Sequence, residues 1–123
     1  MANQKPALTI GTRGSPLALA QARMTAAALA GAMGIDVTGI GIEIISTTGD
    51  RTQDRPLSEI GGKGLFTKEI EDALLQGEID MAAHSMKDMP TIRPPTLPTA
   101  AVLKRDTPFD ILLTYDGTPL DEL

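Results

Sequence analysis

Not one cysteine occurs in the 123-residue sequence. A disulfide framework and any thiolate metal site are thereby excluded, and Cys leaves the roster of candidate nucleophiles. A single His gives zinc or haem too few of its usual donors, so no metal site is expected. Aromatic residues amount to 2%, without Trp, and no stacking platform for nucleobases can be built from them. Basic residues number 11 against 16 acidic ones, a net charge of −5. Nucleic acid, which needs a basic excess, is therefore not an expected partner. No apolar run approaches the ~18 residues of a membrane-spanning helix, and the first residues lack the basic-then-apolar pattern of a secretory leader. What is present, 41% apolar and 22% charged residues, fits a soluble cytoplasmic α/β domain with no membrane partner.

Five short apolar runs and two helical patterns organise the chain. Residues 7–12 read as a strand, followed by Ser15 at a helix N-cap and Pro16 at N1. The Ala-rich stretch from Leu17 to about Met33 then reads as a helix that stops at Gly34. Leu17, Gln21, Met24 and Ala28 are expected on one side of it, with Leu29 and Met33 extending the apolar surface. Residues 41–46, rich in β-branched side chains, predict a second strand. A long polar connection over residues 47–64 follows, of a length usually reserved for functional loops. Phe66, Ile70, Ala73, Leu74 and Gly77 recur at helical spacing. Residues 79–83 predict a third strand, and residues 99–103 and 110–114 a fourth and fifth. The β-α-β-loop-α-β order predicts a doubly wound, mostly parallel sheet with helices on both faces. Ligands of such sheets bind beyond the carboxyl ends of the strands. Arg13 and Ser15 follow the first strand, the long connection follows the second, and Ser85, Lys87 and Asp88 follow the third.

Each of these features admits two readings. The helix start at Ser15 beside Arg13 is either an anion site or a cap with a surface Arg. Gly61-Gly62-Lys63-Gly64 is either an anion-binding nest or a flexible hinge. It is not a Walker loop, because Leu57 and Gly64 stand where Gly and Ser or Thr are needed. Asp88 is either a carboxylate stabilising positive charge on a substrate or a salt-bridging cap. His84 and the methionines near it read most simply as core residues. Together, Arg13, Lys63 and Lys87 would ring a cleft with one carboxylate, suited to an anionic small molecule.

Four blocks carry a resemblance. Thr12-Arg13-Gly14-Ser15-Pro16-Leu17-Ala18-Leu19, Thr48-Gly49-Asp50, Gly61-Gly62-Lys63-Gly64-Leu65-Phe66-Thr67-Lys68-Glu69 and His84-Ser85-Met86-Lys87-Asp88-Met89-Pro90 resemble, in order and spacing, the porphobilinogen deaminase (hydroxymethylbilane synthase) family. The resemblance implies a type II periplasmic-binding-protein-like domain. It also implies a transferase of tetrapyrrole biosynthesis, leading to haem and chlorophyll, that joins four porphobilinogens into linear hydroxymethylbilane with release of ammonia. The growing polypyrrole is built on a dipyrromethane cofactor attached to a Cys, which would lie outside these 123 residues.

By the same resemblance, Asp88 matches the catalytic Asp that faces an azafulvenium-like cation. Arg13, Ser15, Gln21, Lys63, Ser85 and Lys87 match positions that hold cofactor or substrate, and Asp50 a lid segment over the cleft. Glu59 stands where some members carry Lys. The match covers about the first two-fifths of a three-domain family. It implies a first domain over residues 1–103 and a crossing into a second over residues 104–123. The intact protein would be monomeric, whereas this stretch alone would be inactive and could self-associate through an exposed strand at residues 110–113. A non-catalytic binding module for a small carboxylated ligand is the alternative.

Overall fold

The computed structural model describes residues 5–56, 64–92, 95–109, 111 and 113–122. Strand β1 (Leu8–Thr12) leads into helix α1 (Pro16–Met33) and strand β2 (Ile40–Ile44). A single helical turn, α2 (Thr48–Arg51), then precedes helix α3 (Lys68–Leu75) and strand β3 (Met81–Ala82). The sheet has the order β2-β1-β3 and both pairings are parallel. Leu8 stands opposite Ile40 and Thr12 opposite Ile44, while Ile10 pairs with Met81. Backbone bonds from Asp80 N to Thr9 O and from Ala83 N to Gly11 O, both 3.0 Å, prolong the β3 ladder beyond its two assigned residues.

Helix α1 begins and ends where local chemistry puts it. The Ser15 hydroxyl accepts from Ala18 N at 3.3 Å, and Pro16 fills N1, where no N–H is needed. Gly34 closes the helix in the left-handed region at φ 66°. Its buried stripe is Ala22, Ala26 and Ala30, packed with Ile10 and Ile40 of the sheet. This corrects the expected side: Leu17 and Met24 are 51% and 57% exposed, and Ala28 is exposed too. Alanines spaced by four let the helix axis approach the strands closely, and longer side chains there would hold it off.

The opposite face of the sheet carries α3, where Ile70 and Ala73 pack with Ile79, Ile45 and Ala82. Gly11 in β1 is what allows that approach. A Cβ there would run into Ile79 Cδ1 and lie 3.3 Å from Ile45 Cδ1. The first crossover runs from β1 to β2 and the second returns from β2 past β1 to β3, so right-handed connections in opposite directions put α1 and the α2–α3 segment on different faces. Phe66 falls outside the helix predicted around it, in a turn before Lys68, while Gly77 at φ 74° ends the segment as expected.

Two predicted strands are not formed among the described residues. Residues 99–103 are exposed and irregular, and Ile111 and Leu113 are 74% and 87% exposed outside any strand. Asp110 and Leu112 lie outside the described residues. The strand edge expected at residues 110–113 is thus not formed among the described residues. β-branched composition makes a strand only where a neighbour completes its ladder. No helix among the described residues is long and apolar enough to cross a membrane.

Candidate functional site

The carboxyl ends of β1 and β3 face a common crevice, at the point where the chain reverses its direction of winding. Arg13 leaves the end of β1. Its backbone is steadied by the fully buried Thr12, whose hydroxyl lies 3.0 Å from Arg13 O and 3.3 Å from Ala18 O. All three guanidinium nitrogens are engaged. Nε donates to both Asp50 oxygens at 3.0 and 3.2 Å, and Nη2 to Asp50 Oδ1 at 2.6 Å. Nη1 donates to Asp88 Oδ2 at 2.9 Å. The guanidinium face lies over the Phe66 ring, 4.1 Å from its centroid. These side chains are 15% (Arg13), 23% (Asp50) and 11% (Asp88) exposed, so the charges are partly desolvated and poorly screened.

Asp88 reaches Arg13 because the chain after β3 curls into a 3-10 turn, Met86–Asp88, closed by Asp88 N donating to Ser85 O at 3.0 Å. Three residues per turn bring Asp88 back over Ser85, toward β1. Asp50 is set by a capping box. Thr47, fully buried, donates its hydroxyl to Asp50 Oδ2 at 2.7 Å and accepts from Asp50 N at 3.3 Å. The two remaining first-turn amides of α2 are also satisfied. Gly49 N donates to Leu65 O at 2.7 Å, and Thr48 N to Glu69 Oε2 at 3.0 Å. Phe66 sits directly on Gly49: a Cβ there would lie 2.7 Å from the ring's Cδ1 and Cζ, and closer still to Cε1.

Charge pairing shapes the protonation of the group. Hydrogen bonding to Asp50 raises Arg13 above its ordinary value despite the opposing desolvation, and Asp88 adds to the rise. Partial burial works to raise Asp50, but the bonds from Arg13 and Thr47 outweigh it, and the carboxyl sits below the ordinary range. Burial pushes His84 down, with the nearby Asp88 opposing, which favours the neutral imidazole; the residue is half-buried and stands in neither core cluster, not in the core expected of it. Its Nδ1 is buried with no hydrogen-bond partner among the described residues.

Two cavities meet at Phe66. One, of about 760 Å³, is lined by Phe66, Lys87, Asp88, Met89 and Pro90 among others. The second, of about 460 Å³, is lined by Arg13, Ser15, Ser46, Asp50 and Phe66 among others. Lys87 is thus exposed at the rim of the first cavity and Ser15 faces the second. Gln21 and Ser85 are brought together, with Gln21 Nε2 donating to Ser85 Oγ at 3.2 Å, and this bond ties α1 to the segment after β3. Lys63, with Gly61, Gly62 and Glu59, lies outside the described residues.

Two of the expected site residues are held together here. Asp50, expected on a segment over the cleft, stands on α2 and grips Arg13 from within it. Arg13, expected as one of three cations ringing a cleft with one carboxylate, is shared by two carboxylates. Phe66 was legible only as a helix-face residue. The spacing Thr47-x-x-Asp50 carried the capping-box signal that would have fixed Asp50. No group of three metal-ligating side chains occurs among the described residues. The arrangement can present one carboxylate, Asp88, at a cavity wall while its partner Arg13 keeps it aimed.

Comparison with known proteins adds to this geometry. Residues 8–123 match the family model "Porphobilinogen deaminase, dipyromethane cofactor binding domain". A probable porphobilinogen deaminase of Methanosarcina barkeri is 63% identical over 117 residues, which cover 94% of this chain and 36% of that protein. Its counterpart in Methanosarcina mazei is 62% identical over the same shares. The porphobilinogen deaminase of Paracoccus denitrificans is 54% identical over 116 residues, 94% of this chain and 37% of the relative. The chain therefore spans little more than a third of the length of the curated relatives it matches.

Proposed function

From the chain's membership of the porphobilinogen deaminase family, as the N-terminal, cofactor-binding domain of that family, we propose that its cleft takes porphobilinogen and the growing polypyrrole. In a full-length protein it would serve the head-to-tail condensation that yields hydroxymethylbilane with loss of ammonia. The observation that carries this reading is the Asp88 carboxylate, paired to Arg13 at 2.9 Å on the wall of a cavity shared with Lys87 and Phe66. When ammonia leaves, positive charge develops on the pyrrole. A preoriented carboxylate in a partly desolvated cleft stabilises that charge and accepts a pyrrole N–H. Because Arg13 holds Oδ2, it fixes the carboxylate's direction. Lys87 at the rim and Ser15 in the adjoining cavity suit the acetate and propionate groups of the pyrrole, and the Phe66 ring supplies an apolar wall for its face. Lys63 is proposed for the same carboxylates, with Gln21 and Ser85 holding the segment that carries Lys87.

The dipyrromethane cofactor, when bound, supplies the terminal pyrrole to which incoming units are joined. The residues fit such a group: an apolar ring, an amine and a carboxylate share one cavity. With no Cys in the chain, its thioether link would come from elsewhere in a longer protein. In that setting residues 1–103 would form a doubly wound domain like those of type II periplasmic binding proteins. Residues 104–123 would make the crossing to a second domain, and the enzyme would be a cytoplasmic transferase acting as a monomer. Porphobilinogen consumption by a full-length protein carrying this chain tests the reading. Asp88→Asn should lower kcat by two or more orders of magnitude, as loss of a transition-state charge does; near-normal turnover would remove Asp88 from the chemistry. Calorimetry on the chain alone addresses the binding-module alternative, which tight porphobilinogen binding would favour.

A further inference from the structure

Glu69 lies at the start of α3, outside both cavities, and yet reaches the segment that grips Arg13. Its Oε1 accepts from Thr48 Oγ1 at 2.7 Å and from Thr48 N at 3.3 Å, and its Oε2 from Thr48 N at 3.0 Å. The side chain is 22% exposed, and its ion pair with the half-exposed Arg51 is long at 3.9 Å. Hydrogen bonding rather than ion pairing therefore defines its role. A four-residue helix has no stability of its own. α2 persists because each of its first three amides has a partner: Glu69 for Thr48, the Leu65 carbonyl for Gly49, and the Thr47 hydroxyl for Asp50. Two of those partners come from the start of the α3 segment. The same clamp presses Gly49 against Phe66 and fixes Asp50 on Arg13.

We propose that Glu69 is a positioning residue: by holding Thr48, it locks α2 to α3 and so keeps Arg13 seated between Asp50, Phe66 and Asp88. The inference relies on the proposed function only for what Arg13 and Asp88 do; the clamp itself is independent of any pyrrole. Asp88 is aimed by a guanidinium whose other partner, Asp50, stands on a helical turn anchored through Thr48 by Glu69, 21 residues further along the chain than Thr48.

The test is NMR of the 123-residue chain, following the Arg13 Nε–H signal and the titration of the Asp50 carboxyl carbon. Glu69→Ala should speed Nε–H exchange about tenfold, the loss of roughly one net hydrogen bond, and move the Asp50 midpoint up toward the ordinary carboxylate range. Glu69→Gln should shift both readouts less than Glu69→Ala does, because an amide oxygen at the Oε1 position keeps both Thr48 donors within reach while the NH2 group forfeits the shorter bond from Thr48 N. Unchanged signals in Glu69→Ala, or a Glu69→Gln variant that behaves like it, would overturn the inference. Should Glu69→Ala not fold, Thr48→Val removes one donor and keeps the backbone bond; it should shift both readouts in the same direction, and the absence of any shift overturns the clamp. None of these measurements involves porphobilinogen, so failure here is distinguishable from failure of the Asp88→Asn assay.

Discussion

Arg13 and Asp88, 75 residues apart in the chain, join at 2.9 Å across the crevice between β1 and β3. Asp50, 37 residues from Arg13, occupies the other edge of the same guanidinium. One cation thus serves two carboxylates, and removing it should leave both partly buried and unpaired. Arg13→Ala is expected to lower unfolding stability at pH 7 by about 2–4 kcal/mol, the range for breaking a partly buried charged pair. Adding Asp50→Asn should recover part of that loss, because one fewer charge is then stranded. A double-mutant cycle by urea unfolding measures the coupling; strict additivity would contradict the shared-cation geometry.

Gly49 and Phe66 make a steric prediction. Gly49→Ala puts a methyl group into the Phe66 ring, which must leave its place over Arg13. Overpacking of this kind should cost about 1–3 kcal/mol. Pairing it with Phe66→Leu should relieve most of the loss. Melting curves give the energies, and ring-current shifts at the Arg13 side-chain protons report whether the ring has moved.

Acid should weaken the fold in two separable windows. His84 is depressed in the folded state, so the unfolded chain binds its proton first. The associated stability is complete above about pH 6.5 and falls as pH drops through the lower folded value. Asp50 is also depressed, and its contribution is present above about pH 3.9 and lost below that. With one His in the sequence, the upper window belongs to it alone. His84→Leu should flatten the slope of stability between about pH 6.5 and 5, and a slope that survives would sink the assignment.

The α1 stripe is testable by size. Ala26→Leu, at a fully packed position, should destabilise by about 1–3 kcal/mol. Met24→Ala, on the exposed side, should stay within about 0.5 kcal/mol. Thermal unfolding of the two variants distinguishes the observed face from the one expected of Leu17 and Met24; a larger loss in Met24→Ala would reverse it.

Much of this was legible in the residues, where the governing interactions are local. Ser15, Pro16 and Gly34 delimit α1 through hydrogen bonds and dihedral preferences that span only a few positions. The motif blocks likewise pointed to Arg13, Asp50, Ser85, Lys87 and Asp88. The apolar runs at residues 99–103 and 110–114 misled because a strand is completed by a neighbour that composition does not name. Phe66 was read for its helical spacing, whereas its ring is held by a glycine 17 positions earlier.

The sequence by itself determined the ends of α1 and the parallel βαβ order. Only the tertiary structure decided that alanines and not Leu17 or Met24 face the sheet, and that Arg13 is divided between Asp50 and Asp88. Caps and turns act within one helical turn, so a short window of residues contains all their partners. The guanidinium's partners arrive on the turns that follow different strands, and their meeting depends on the β2-β1-β3 order and register, which arise from packing the whole sheet between its helices.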